Sequence, residues 1–504
     1  MRHNSLGIDA IFQYTGSGVQ LFSGTIFYVV IARIFLPAEI GAITLFAALI
    51  GLLSILFTFG LNAAVQHFTS YNMGMGSLTS VKITIYKFIA YGFILSFVGL
   101  ITLVLLGPII SHVFFHSTSY RRLVRLLSVV LFGNILYGIL NGALLGLQKF
   151  KLSAIINISI WITYYFLPII FALYSHSIQY IIFGWIIGIS LGVVIELFTV
   201  LVLLRRFDGE GEPTQRHLIF RYSFPILLSG LISYGAASAD RFVVSGLLSL
   251  SSLGIYNFAL LVATSISFLV APFNNILMPK FSEMFGSGQQ GEIRSTVEIS
   301  STLLSSFYTP SALGIAALAP LILKLLGGDI YVEGAQALMV IMFSSAVFVI
   351  QNILIQAMAA IRRTRILIYS SFIALITNIL VSILLIPEYG ILGASIGFSS
   401  VYAATFFTVY FFAWKTNLLS FDNSSLLKVW ISSIFMFLIV YFVAKGSGFS
   451  IELLPVYVAL GAALYFGLAR LLRVFKNESK QKVLSLFPAQ YSKLIKIISI
   501  LILY

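Results

Sequence analysis

The chain has 504 residues, of which 59% are hydrophobic and only 9% charged, and its mean hydropathy is +1.03. A soluble protein carries roughly 25% charged residues, so lipid and neighbouring helices must surround most of these side chains. The chain has no cysteine, which excludes disulfides, thiolate metal sites and cysteine nucleophiles. Its net charge of +14 reads as a cytoplasmic excess of Lys and Arg around membrane spans, not as a nucleic-acid surface.

The apolar runs, such as Leu53 to Phe59 and Ile376 to Ile386, do not alternate as the roughly ten-residue strands of a membrane barrel do. Helical spans are therefore predicted over 13–33, 40–66, 83–110, 123–147, 152–174 and 178–204. After a hydrophilic stretch they resume over 222–248, 253–278, 297–323, 334–360, 366–386, 389–413, 427–445 and 451–470. Each is long enough for a hydrocarbon core of about 30 Å. The polar start, Met1 to Asp9, lacks a small-residue cleavage site, so the first span is expected to be a retained helix and not a signal peptide.

An even number of spans puts both termini on one side. With that side cytoplasmic, only Arg33, Arg121, Arg122, Arg125, Lys324 and Lys445 of the 30 Lys and Arg fall outside, and Arg241 lies within a span. The arginines at 121, 122 and 125 run against the trend.

The hydrophilic stretch bears Asp208, Glu210, Glu212, Pro213 and Arg216 near the middle of the chain, which invites a search for a repeat. Shifting the first half by 213 residues sets Gly41 on Gly254, Phe68 on Phe281 and Thr69 on Ser282. A shift of 214 sets the basic turn Gly146 to Leu152 on Ala360 to Ile366. Two six-span units of like orientation follow. The expected organisation is an N-terminal lobe (1–207), a cytoplasmic linker (208–221), a second lobe (222–415), two further spans (416–473) and a basic cytoplasmic tail (474–504). The tail ends in an apolar run and reads either as an interfacial anchor or as a frayed end.

Ionisable groups within membrane spans are costly, and so are functional candidates. Asp240 and Arg241 lie in the seventh span after a run of small residues, Glu196 lies in the sixth, and Arg33 closes the first. A guanidinium in a cavity suits phosphate oxygens, whereas one at a span end also reads as snorkelling to headgroups. Glu196 reads as a proton carrier or as one half of a structural pair. Asn134 and Asn141, seven residues apart, share a helix face. Together with Gln351 and Asn352 they are candidates either for lining a polar cavity or for joining helices.

There is no Gly-rich phosphate loop ending in Gly-Lys-Ser/Thr and no His-Glu-x-x-His. His112 and His116 have helical spacing but no third ligand nearby, so no metal or cofactor is expected. No loop is long enough to hold a catalytic domain, which argues against an enzyme.

The order of motifs resembles the polysaccharide transporter, or oligosaccharide flippase, family of the multidrug/oligosaccharidyl-lipid/polysaccharide exporter superfamily. Arg33, Pro37, Glu39, Gly41 and Gly60 match its opening, although Leu36 stands where a glycine is usual. Pro225, Asp240, Arg241, Gly254 and Tyr256 match the start of its second half, and Pro279 and Phe281 match a later segment. Gly328, Tyr331, Gly390, Gly393 and Ala394 continue the series, so that the resemblance covers roughly 10–415.

The resemblance implies an all-α membrane protein of about fourteen spans. It would have two pseudo-symmetric, MATE-like six-helix lobes around a central cavity, plus two C-terminal helices. It implies alternating-access flipping of a polyprenyl-phosphate-linked glycan to the outer leaflet of the cell membrane. The partners would then be that glycan, membrane lipids and enzymes of glycan assembly, with a monomer sufficient for transport. On this reading Arg33, Asp240, Arg241, Asn134, Asn141, Gln351 and Asn352 are candidates to line the cavity, and Glu196 and Asp240 are candidates for ion coupling. A cation-coupled multidrug exporter of the same fold is the alternative. It is disfavoured because the first span carries no acid between Gln13 and Arg33.

Overall fold

The computed structural model describes residues 3–205, 207, 215–416 and 420–474. The acidic part of the expected linker and the tail from 475 onward, with its expected anchor, lie outside the described residues. Within them the chain is helical and contains no strand. This fits a bilayer, where a helix satisfies every backbone hydrogen bond within its own segment.

The first helices are α1 (His3–Ala32), α2 (Pro37–Thr58), α3 (Leu61–Gly74), α4 (Leu78–Phe115), α5 (Arg121–Gly146), α6 (Phe150–Ser175), α7 (Ile178–Leu204) and α8 (Arg216–Leu247). There follow α9 (Leu250–Ser265), α10 (Ala271–Gly286), α11 (Gln290–Ala317), α12 (Ala319–Gly327), α13 (Ala335–Ser345) and α14 (Phe348–Ala360). The last are α15 (Arg365–Tyr389), α16 (Ile391–Lys415), α17 (Asn423–Gly446) and α18 (Leu454–Leu471). Among the described residues 12 helices are long and apolar enough to cross a membrane, or up to 14 if each of two bent pairs is one span.

Several predicted spans are interrupted. The span predicted over 40–66 ends at Phe59 and Gly60, whose φ angles of 54° and 71° are left-handed and stop the helix. The span over 297–323 bends by 73° between α11 and α12, and that over 334–360 bends by 42° between α13 and α14. Hydropathy averages over such breaks, so the sequence reads them as single runs.

Packing divides the chain into two compact units, Met1–Gly254 and Ile255–Tyr504, with the division inside α9. In the first, α5 packs on α2, α3, α4 and α7, while α1 lies on α6 and α8 on α2 and α3. In the second, α11 packs on α13, α14 and α17, and α15 pairs with α16. The repeat is visible in the helix starts: Pro37 and Leu250, and Ile178 and Ile391, are each 213 residues apart.

One repeat-related pair meets directly. A Cβ on Gly41 would fall on the Leu250 carbonyl, and a Cβ on Gly254 would fall on the Pro37 carbonyl. Only glycine permits this approach of α2 to the first turn of α9.

The two extra helices are tied to α11 by a proline. Pro310 has no N–H, so the Ser306 carbonyl loses its helical donor. The Tyr465 hydroxyl of α18 supplies the missing bond at 2.7 Å.

Candidate functional site

Two polar centres lie inside the first unit. The first joins α5, α6 and α7. Glu196 is fully buried. Asn141 Nδ2 donates toward Glu196 Oε1 at 3.0 Å, toward Asn157 Oδ1 at 2.8 Å and toward Ser153 Oγ at 3.2 Å. The Tyr137 hydroxyl donates to the same Asn157 oxygen at 2.8 Å. Glu196 Oε2 has no hydrogen-bond partner. A buried carboxyl held on one oxygen and open on the other is equipped to take up a proton or a cation.

Sequence spacing found Asn141 and Glu196 but not their connection. Tyr137, Ser153 and Asn157 were missed. Tyr137 is four residues before Asn141 on the same face, the one signal the sequence offered. Asn134 shares the helix but not the cluster, since its Nδ2 donates to its own helix at the Val130 carbonyl, 3.1 Å away. Beside this centre stands an aromatic tier. Tyr164 stacks on Trp185 with ring centroids 5.8 Å apart, and Trp161 stacks on Tyr165 at 5.9 Å.

The second centre surrounds Arg241 on α8. Arg241 Nε is buried without a hydrogen-bond partner, and Nη1 reaches Ser238 Oγ only at 3.5 Å. The guanidinium acts electrostatically on the hydroxyls of Tyr28 from α1 and Tyr234 from α8. Tyr234 is itself anchored, donating to the Ala48 carbonyl of α2 at 2.8 Å. Neither tyrosine was singled out by the sequence. Asp240, the adjacent residue, is fully buried. Arg33 lies in the exposed turn that follows α1.

Gln351 and Asn352 lie in the second unit, on α14. Gln351 is buried, and the amide oxygens of both have no partner. An apolar cavity of about 470 Å³ also lies in that unit, lined by Phe307, Pro310, Met436, Val440, Tyr457 and Phe466 among others. Its lining does not suit a charged head group. No cluster of His, Cys, Asp and Glu fit to hold a metal is present among the described residues.

Comparison with known proteins agrees with this architecture. The chain is 22% identical over 381 residues to the "Probable low-salt glycan biosynthesis flippase Agl15" of Haloferax volcanii, covering 76% of this chain and 77% of that protein. It is 23% identical over 227 residues, 44% of each chain, to the uncharacterized membrane protein MJ1068 of Methanocaldococcus jannaschii. Among solved structures, the lipid II flippase MurJ in an inward closed conformation superposes with a TM-score of 0.71 at 15% identity, covering 92% of this chain and 98% of that one. A multidrug resistance MATE family transporter of the MOP superfamily, facing inward, gives 0.65 at 14% identity, covering 79% and 95%. The family model described as "Polysaccharide biosynthesis protein" matches residues 30–336, more than half of the chain. The fold is that of the MOP superfamily, and the chain belongs to the polysaccharide biosynthesis protein family.

Proposed function

We propose that the chain is an alternating-access flippase that moves a polyprenyl-phosphate-linked oligosaccharide from the cytoplasmic to the outer leaflet of the cell membrane. Both termini are cytoplasmic in this reading, and the chain works as a monomer beside the enzymes of glycan assembly without being an enzyme itself. The observation that carries the proposal is the Arg241 guanidinium, buried at Nε with no hydrogen-bond partner there and close enough to Tyr28 and Tyr234 to act on them electrostatically. Such a group suits phosphate oxygens, which a guanidinium binds through paired N–H groups. Arg33, at the end of the same helix that carries Tyr28, gives a second cation for an arriving or departing phosphate. Asp240 orients the Arg241 turn, and the face of α5 that carries Asn134 and Asn141 lines the cavity. The lipid tail stays in the bilayer. The relationship to a protein named as a glycan biosynthesis flippase supports the same substrate class.

The test is the leaflet location of the lipid-linked glycan after depletion of the protein, read with a membrane-impermeant head-group probe on intact cells. Accumulation on the cytoplasmic side with synthesis intact is the expected result. Normal exposure outside, in cells with no second flippase, overturns it.

One observation favours a second reading. Glu196 is a buried acid with an open oxygen, a group that suits cation coupling in a multidrug exporter. Drug sensitivity on depletion, with surface glycans unchanged, would select that reading.

A further inference from the structure

The first unit carries an aromatic tier to which neither polar centre gives a role. On α6 the exposed residues Ile155, Ile162, Phe166, Ile170 and Leu173 fall on one side, suited to lipid. By the same helical spacing Asn157, Trp161, Tyr164 and Tyr165 fall on the opposite side, where they stay half-buried. Tyr165 stacks on Trp161 with ring centroids 5.9 Å apart. Tyr164 at 5.7 Å and Tyr137 of α5 at 6.1 Å meet the same indole edge-on. Trp185 of α7, stacked on Tyr164, forms the base of the tier. It is 2% exposed, and its indole N–H has no hydrogen-bond partner.

The tier links the two centres. At one end, a Cβ on Gly24 of α1 would come within 3.3 Å of the Tyr165 ring, so Tyr165 rests on α1 one turn from Tyr28. Tyr28 in turn lies within the electrostatic reach of Arg241. At the other end, the Tyr137 hydroxyl donates to Asn157, which also accepts from Asn141, the donor to Glu196. Arg241, the aromatic rings and the amides around Glu196 therefore follow one another in that order within the unit.

We propose that this tier binds the hexopyranose attached directly to the lipid phosphate, with Trp161 as the platform for its ring. The inference rests on the flippase reading and names the sugar subsite within it. A pyranose carries C–H groups on its faces and hydroxyls around its rim. The C–H groups match the electron-rich face of an aromatic ring. The hydroxyls both donate and accept, which matches the hydroxyl of Tyr137 and the amides of Asn141 and Asn157. Aromatic walls with a few placed polar groups are the usual make-up of a small-molecule site. Packing alone would be served by aliphatic side chains, without the cost of a buried tryptophan N–H that lacks a partner. Because Arg241 is the partner of the phosphate, the ring that reaches the neighbouring tier is the first sugar.

The test compares two phosphodiesters of equal charge, farnesyl methyl phosphate and farnesyl phosphoglucose, binding to the purified full-length protein. Tryptophan emission reads the binding. The chain has 4 tryptophans, so Trp414→Phe/Trp430→Phe leaves only Trp161 and Trp185 to report. In that background the glucose lipid is expected to bind about tenfold or more tightly than the methyl ester, a difference of roughly 1.4 kcal/mol. Trp161→Leu is expected to bring the two affinities together, with Trp185 still reporting. Arg241→Ala is expected to weaken both lipids alike. Equal affinities before any change at Trp161 overturn the inference, and this comparison decides alone if Trp161→Leu does not fold. A sugar preference that survives in Trp161→Leu overturns it too. Equal binding of both lipids removes only the sugar platform, whereas binding of neither also removes the flippase reading.

Discussion

At the scale of single residues, the two polar centres of the first unit make different demands. Asn141 is the principal donor to Glu196, so Asn141→Leu leaves a buried carboxyl with no partner. The expected cost is about 1–3 kcal/mol, read as a lower unfolding temperature in detergent. Glu196→Gln keeps an oxygen for Asn141 and removes only the ionisable group. It is expected to fold as the native chain does and to lose the pH dependence of glycan flipping in reconstituted vesicles. An unchanged pH profile would remove Glu196 from coupling. Arg241 separates charge from geometry: Arg241→Lys keeps a cation but not the paired N–H groups. Flipping is expected to fall in both Arg241→Lys and Arg241→Ala, more steeply in the alanine variant, with protein level unchanged. The sequence exposed these charges because they interrupt apolar runs. It hid Tyr28, Tyr137 and Tyr234, because a tyrosine in a membrane helix is common enough to carry no signal alone.

At the scale of elements, breaks and contacts between helices matter most. Tyr465→Phe deprives the Ser306 carbonyl of its donor and is expected to cost about 1–3 kcal/mol. Pro310→Ala restores the helical N–H at that carbonyl. The double variant should therefore lose less stability than Tyr465→Phe alone, and additive losses would refute the coupling of α18 to the proline of α11. Gly41→Ala and Gly254→Ala each drive a methyl group onto a backbone carbonyl. Because backbone cannot yield as a flexible side chain can, both are expected to reduce the yield of monodisperse protein sharply. The sequence already paired these two glycines through the 213-residue shift, but it gave no hint that they touch.

At the scale of the whole molecule, the proposed topology makes the connection between α4 and α5 external and that between α10 and α11 internal. The chain has no cysteine, so single cysteines report sides without background. Thr118→Cys, in the α4–α5 connection, is expected to react with an impermeant thiol reagent on intact cells. Gln289→Cys, at the start of α11, should react only after permeabilisation. The reverse pattern would invert the assigned topology. The same experiment tests the outward placement of Arg121, Arg122 and Arg125, which run against the distribution of the other basic residues.

Composition and run length by themselves determined that this is a helical membrane protein of up to fourteen spans, because lipid tolerates few charges and requires each span to satisfy its own backbone. Loop charge and the internal shift determined the two-fold plan, since both are properties of sequence position. The tertiary structure alone decided which helices are broken, because hydropathy does not register a left-handed residue or a change of axis. It alone joined Asn141 to Glu196 and set Arg241 near two tyrosines. Each of those sites is an arrangement of side chains from different helices, and their separation along the chain carries no record of the distance between them in space.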